Sequence, residues 1–128
     1  MANYWMIEWG AYSYAAFKLY RNYDGNGNTY GDLNVKATSS DIEKISIYAS
    51  LESDRKNILH AILINKNLEN SQNVKIKINS KITFKKAELW GFNKDTEGKI
   101  IKKDEIKIKN NTMNFDIPSL SAYHIVFM

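Results

Sequence analysis

The chain has 128 residues, 44% hydrophobic and 25% charged, with a formal net charge of +4 and no cysteine. That length and balance fit one globular domain with its own core. The lack of cysteine excludes a disulfide framework, a thiol nucleophile and a Cys-based zinc site. The positive excess is mostly lysine, and in stretches such as residues 74–79 and 106–109 it alternates with Ile or Val. Alternation of that kind marks solvated strand faces and guarded sheet edges, not the clustered arginines and interleaved aromatics of a nucleic-acid binder. No apolar run approaches the ~20 residues of a membrane helix. Neither nucleic acid nor membrane is therefore expected as a partner.

In chain order, residues 1–5 lack the basic and apolar regions of a signal peptide; an exported protein would carry its signal upstream in a longer chain. Residues 11–23 suit a short helix. Tyr12, Ala16, Leu19 and Tyr23 recur at helical spacing on one face, widened by Ala15 and Phe17. Asp24-Gly25 and Asn26-Gly27 stop it, because Gly and Asn accept left-handed backbone. Val35 and Ala37, with Leu33, begin a strand pattern. Ile45, Ile47, Ala49 and Leu51 alternate with Ser46, Tyr48 and Ser50, as in a half-buried strand. Residues 58–64 are apolar except for His60, which predicts a central strand buried on both faces. Val74, Ile76 and Ile78 alternate with polar residues; a longer run covers 82–92. Ile106 and Ile108, then Met113, Phe115 and Ile117, and finally residues 122–128 complete the set.

No helical pattern separates successive strands, so βαβ crossovers are excluded. The prediction is mainly β: an antiparallel β-sandwich of about seven or eight strands preceded by one short helix.

Residues 14–38 resemble the end of the catalytic barrel and the start of the β-sandwich in glycoside hydrolase family 44. The family contains endoglucanases, xyloglucanases and β-mannan-active enzymes. The resemblance is carried by Tyr14, Ala16-Phe17, Tyr20-Arg21-Asn22-Tyr23-Asp24-Gly25, Gly27, Gly31-Asp32, the strand from Val35 to Ala37, and Ser39-Ser40-Asp41. Residues 45–50 and 63–66 resemble the first sandwich strands of the same family. Residues 117–126 resemble the closing strand of sandwiches appended to many retaining glycosidases.

The resemblance implies that residues 1–32 are the last helix and loop of a barrel that is missing here, and that 33–128 are the sandwich. It implies a bacterial, secreted parent enzyme acting on cellulose, xyloglucan or mannan, whose paired catalytic glutamates lie upstream. The partner would be that barrel, in the same or a missing chain. The helix would expose Tyr12, Phe17, Leu19 and Tyr20 to it. Sandwiches of this kind often borrow a strand from the start of the full chain, which would leave an unpaired edge. On this reading the chain is a fragment, inactive by itself.

The residues themselves carry no hydrolytic signature. Retaining glycoside hydrolysis needs two carboxyl groups about 5–5.5 Å apart across the bond. The acids here sit in turns or beside lysines, so no catalytic residue is assigned. Trp5 is the candidate substrate-binding residue, because an indole face stacks on a sugar ring. Asp24, Asn26, Asn28 and Asp32 place oxygens at relative positions 1, 3, 5 and 9, as in a calcium loop. Thr29 at position 6 and Val35 at position 12 depart from that pattern, and a tight helix-to-strand turn wants the same residues without metal. His60 and His124 each stand alone by local spacing, which argues against zinc. Two alternatives remain. One is a free-standing carbohydrate-binding module displaying Tyr30, Tyr48, Trp90, Phe92 and Tyr123. The other is a structural domain appended to another glycosidase family.

Overall fold

The structure, a computed structural model, describes residues 10–103 and 105–128. It contains one helix, α1 (Ala11–Arg21), and nine strands: β1 (Leu33–Val35), β2 (Ile45–Leu51), β3 (Leu59–Asn65), β4 (Gln72–Lys77), β5 (Lys86–Phe92), β6 (Ile101–Lys102), β7 (Ile106–Lys107), β8 (Thr112–Ile117) and β9 (Ser121–Phe127). All pairings are antiparallel. The larger sheet has the order β1-β2-β3-β9-β5-β6, with β7 also on β5; the smaller sheet is β4-β8. The predicted antiparallel sandwich is therefore the observed fold; the short β7 falls on the predicted Ile106 and Ile108 set, and the two-residue β6 is the one strand that was not expected.

Alternation explains the packing between the sheets. From β8, Met113, Phe115 and Ile117 point inward while Asn114 and Asp116 face solvent. From β4, Ile76 and the partly buried Val74 join them, and Lys75 and Lys77 stay outside. Against these lie Leu59, Ala61 and Leu63 of β3, Ala87 and Leu89 of β5, and Tyr123, Ile125 and Phe127 of β9. Strand β9 is buried along its whole length because both of its faces are covered. The small sheet covers one face, and α1 with the loop after it covers the other.

The helix contributes Ala15 and Leu19 to a second apolar cluster with Ile62, Phe92 and Ala122 of the large sheet. The molecule is thus three layers deep: helix, large sheet, small sheet. One expectation is corrected here. The inward stripe of α1 runs through Ala15 and Leu19, with Tyr23 just beyond its end, while Ala16 is exposed. Leu19, expected on a barrel-facing surface, is 1% exposed against the sheet. The reason is phase: both stripes are apolar, and only the sheet decides which is covered. Burying a leucine there stabilises the contact by about 2 kcal/mol. Tyr14 remains on the outer side, 49% exposed, while Tyr12 lies at the edge of the contact, 43% exposed with its ring 6.2 Å from that of Phe92 and its hydroxyl donating to the Lys94 carbonyl at 2.8 Å.

Candidate functional site

The last turn of α1 and the Gly/Asn-rich loop after it form a cap over the large sheet. Asn22 ends the helix, its N–H donating to the Lys18 carbonyl at 2.7 Å, and its side-chain oxygen accepts from the Gly27 N–H at 2.7 Å. The Tyr30 N–H returns to the Tyr20 carbonyl at 2.8 Å, so the loop closes on the helix that began it. Gly25 and Gly27 have φ of 79° and 87°, which a side chain would oppose. At Gly31 the loop passes so close to β2 that a β-carbon would lie 2.4 Å from the Leu51 carbonyl oxygen. Within the string from Tyr20 to Gly25, Tyr20 packs edge-on to Tyr30, and Tyr23 is delivered onto the sheet.

Beneath Tyr23 is a polar chain that neither histidine's local spacing revealed. In the β3–β9 register Ile62 lies opposite His124 and His60 opposite Val126, so the two histidines are diagonal neighbours on one face. Nδ1 of His60 is 2.9 Å from Nε2 of His124. Nε2 of His60 is 2.9 Å from Oε1 of Glu52, just past the end of β2. Nδ1 of His124 is 2.7 Å from the Leu19 carbonyl oxygen. Both rings are essentially buried, at 1% and 0% exposure. The other Glu52 oxygen accepts from Nε of Arg55 at 2.5 Å. Burial drives the His124 imidazole down to about 3, against the opposing pull of the Leu19 carbonyl. Burial also lowers His60, opposed by the Glu52 hydrogen bond and charge. Tyr23 is pushed up to about 12, chiefly by burial and then by Asp24. The two histidines that stand alone by local spacing are a linked pair in the fold. Parity was the available signal: once β3 and β9 are known to be neighbours, both fall on the helix-facing side.

The four residues expected at a calcium loop divide. Asp24, Asn26 and Asn28 come together. Oδ1 of Asp24 accepts from the backbone N–H groups of Asn26 and Asn28, at 2.9 and 3.3 Å, and Oδ2 from their side-chain amides, at 3.4 and 2.6 Å. Partial burial works to raise the Asp24 carboxyl, but these hydrogen bonds outweigh it and hold the group below its ordinary value. Asp32 goes elsewhere and accepts from the Ser53 N–H at 2.8 Å. Among the described residues Arg21 pairs with neither acid, and no group of three His, Cys, Asp or Glu side chains is placed to hold a metal. Trp5 lies outside the described residues.

The aromatics considered for a sugar platform are scattered. Tyr123 and Phe92 are buried on opposite faces of the large sheet. Trp90 is half-buried on the helix-facing side, with Tyr23 at 5.9 Å and Lys102 above its ring at 5.0 Å. Tyr30 is half-buried against Tyr20, leaving Tyr48 as the strand aromatic that is well exposed, at 51%. A cleft of about 950 Å³ opens between the sheets, lined by residues of β1, β2, β3 and β4. Its walls are mainly apolar, including Val35, Ile45, Ile47, Val74, Ile76 and Ile78, and Asp41 is the single carboxylate among its lining residues.

Against known proteins, the chain is 41% identical over 127 residues to endoglucanase A of Paenibacillus lautus, covering 98% of this chain and 18% of that enzyme. Its fold superposes with a TM-score of 0.88 on a family 44 endoglucanase produced by Clostridium acetobutylium, at 39% identity over 92% of this chain and 23% of that one. The chain is homologous to part of the family 44 glycoside hydrolases. A Paenibacillus polymyxa xyloglucanase of the same family matches equally well in fold, at a TM-score of 0.88 and 35% identity. No family model matches the chain. It spans less than a quarter of the length of these family 44 relatives, consistent with a C-terminal region. Among the described residues no helix is long and apolar enough to cross a membrane.

Proposed function

We propose that this chain is the non-catalytic β-sandwich portion of a family 44 glycoside hydrolase, and that it supports the catalytic barrel of an enzyme acting on β-linked plant-wall polysaccharides. The observation that carries this reading is the pairing of near-complete coverage of this chain with only 18% coverage of its endoglucanase relative. Two surfaces support it. The outer side of α1 presents Tyr14 away from the sandwich, and Tyr12, although it touches Phe92, is 43% exposed beside it, together an apolar seat for a larger neighbour. The apolar cleft beside β4 is the kind of gap that the rest of a longer chain would cover, with a strand as the expected occupant. Secretion belongs to the same proposal, as a property of the parent enzyme.

The decisive experiment compares three samples: the purified 128-residue chain, a full-length family 44 enzyme, and that enzyme without this region. Carboxymethyl-cellulose and xyloglucan hydrolysis and cellulose pull-down are measured for each. The expected result is no hydrolysis and no retention by the chain alone, with a marked fall in the thermal midpoint of the truncated enzyme. Retention of the isolated chain on cellulose would instead make it a binding module. Hydrolysis by the chain alone would overturn the proposal.

A further inference from the structure

The hydrogen-bond chain Leu19 carbonyl, His124, His60, Glu52 has a direction. A carbonyl oxygen only accepts, so His124 must carry its proton on Nδ1. If His124 is neutral, its Nε2 is then a bare acceptor, and the 2.9 Å contact requires His60 to donate from Nδ1. That leaves Nε2 of His60 facing Oε1 of Glu52 at 2.9 Å. Two neutral imidazoles and an ionised carboxylate supply only two protons to three gaps. Moving either proton along the chain merely relocates the gap in which two lone pairs face each other.

We propose that the Glu52–His60–His124 chain holds one proton more than two neutral histidines and a carboxylate would, and that this buried proton fastens the end of α1 to the large sheet. The proton lies between Oε1 of Glu52 and Nε2 of His60. Either resting place gives a net-neutral pair: imidazolium with carboxylate, or imidazole with carboxylic acid. Burial of His60 alone would favour release, but release here opens a lone-pair contact that burial makes more costly. The anchor acts on the helix because the far end of the chain is the carbonyl of Leu19, in the last turn of α1.

The surrounding groups are few. Glu52, Asp54 and Arg55 come from the β2–β3 turn, Tyr23, Asp24 and Tyr30 from the loop after α1, His124 from β9, and Glu88 from β5 by way of Tyr23. Arg55 is bound to the outer oxygen of Glu52 and donates nothing to the inner one. Only Glu52 and His60 are placed to share the missing proton.

Loss of that proton at high pH weakens the folded state, since the unfolded chain has no such chain to satisfy. The conservative variant Glu52→Gln separates this from ordinary packing. Its amide N–H₂ donates to a neutral His60 and completes the chain without the extra proton, while its oxygen still accepts from Arg55. In urea unfolding, the wild-type unfolding constant should rise relative to that of Glu52→Gln by up to about tenfold per pH unit above neutrality. Equal pH dependence of the two proteins would overturn the proposal. Should the variant not fold, ring ¹⁵N and Glu52 carboxyl ¹³C shifts of the wild type at pH 7 decide it. The expected pattern is Nδ1–H on both histidines with the third proton on His60 or Glu52. An ionised Glu52 beside two neutral histidines would sink it.

Discussion

The ring of Tyr23 lies 4.1 Å, centroid to centroid, from the imidazole of His124. Tyr23 also sits edge-on to Trp90 at 5.9 Å and near His60 at 6.2 Å, so with Tyr30 it covers both imidazoles. Removing the ring as Tyr23→Ala should destabilise the chain by about 3 kcal/mol, whereas Tyr23→Phe should cost under about 1 kcal/mol. Urea unfolding of both variants measures the difference. Equal losses would show that the hydroxyl, not the ring, matters.

Acid should weaken the fold through His124. Burial takes its folded value down to about 3, against about 6.5 in an unfolded chain. Between those values the unfolded state binds the proton that the folded state refuses. The contribution is therefore complete above pH ~6.5 and is lost progressively as pH falls towards 3. Unfolding midpoints at pH 7, 5 and 4 should decline in that order. Replacing His124 with Gln should flatten the part of the decline that belongs to this group.

The two sides of α1 should respond differently. Leu19→Ala removes a fully packed side chain and should cost about 2–5 kcal/mol. Tyr14→Ala, on the exposed side, should change the stability of this chain by under about 0.5 kcal/mol. In a full-length enzyme the same Tyr14 substitution should lower the midpoint, if the barrel rests there.

Gly31→Ala tests the close passage of the loop over β2. The added methyl meets the Leu51 carbonyl backbone at 2.4 Å, where nothing flexible can yield. A loss of about 1–3 kcal/mol is expected. Near-neutral behaviour would mean that the loop can lift without disturbing the sheet.

Calcium offers a check on the Asp24 loop. Both carboxylate oxygens of Asp24 already accept from Asn26 and Asn28, so the turn is satisfied as folded. The thermal midpoint should be the same in millimolar calcium and in excess chelator, and Asp24→Ala should lower both alike. A calcium-dependent rise that Asp24→Ala abolishes would make the loop a metal site, with its amides turned to present oxygen.

Much of this was legible in the chain. The alternations at Ile45 to Leu51 and Met113 to Ile117 are strands in the structure, and the apolar run around His60 is a central strand flanked by β2 and β9. The long run from 82 to 92 was less readable. The strand itself is Lys86–Phe92, while Phe84 enters the core from outside any strand, its N–H held by the Asn111 side chain at 2.8 Å. That anchor comes from a distant turn whose Asn111 has φ of 52°, which no local pattern announces.

What the sequence by itself determined is periodic or local: strand alternation, the Gly/Asn stop after α1, and the string from Tyr20 to Gly25 that resembles family 44. Those signals act between residues a few positions apart, so they can be read along one dimension. Only the tertiary structure decided which stripe of α1 is covered, and that His60, His124 and Glu52 form one chain ending on the Leu19 carbonyl. Such choices follow from sheet order and register, which bring distant residues within hydrogen-bonding distance and remove them from water.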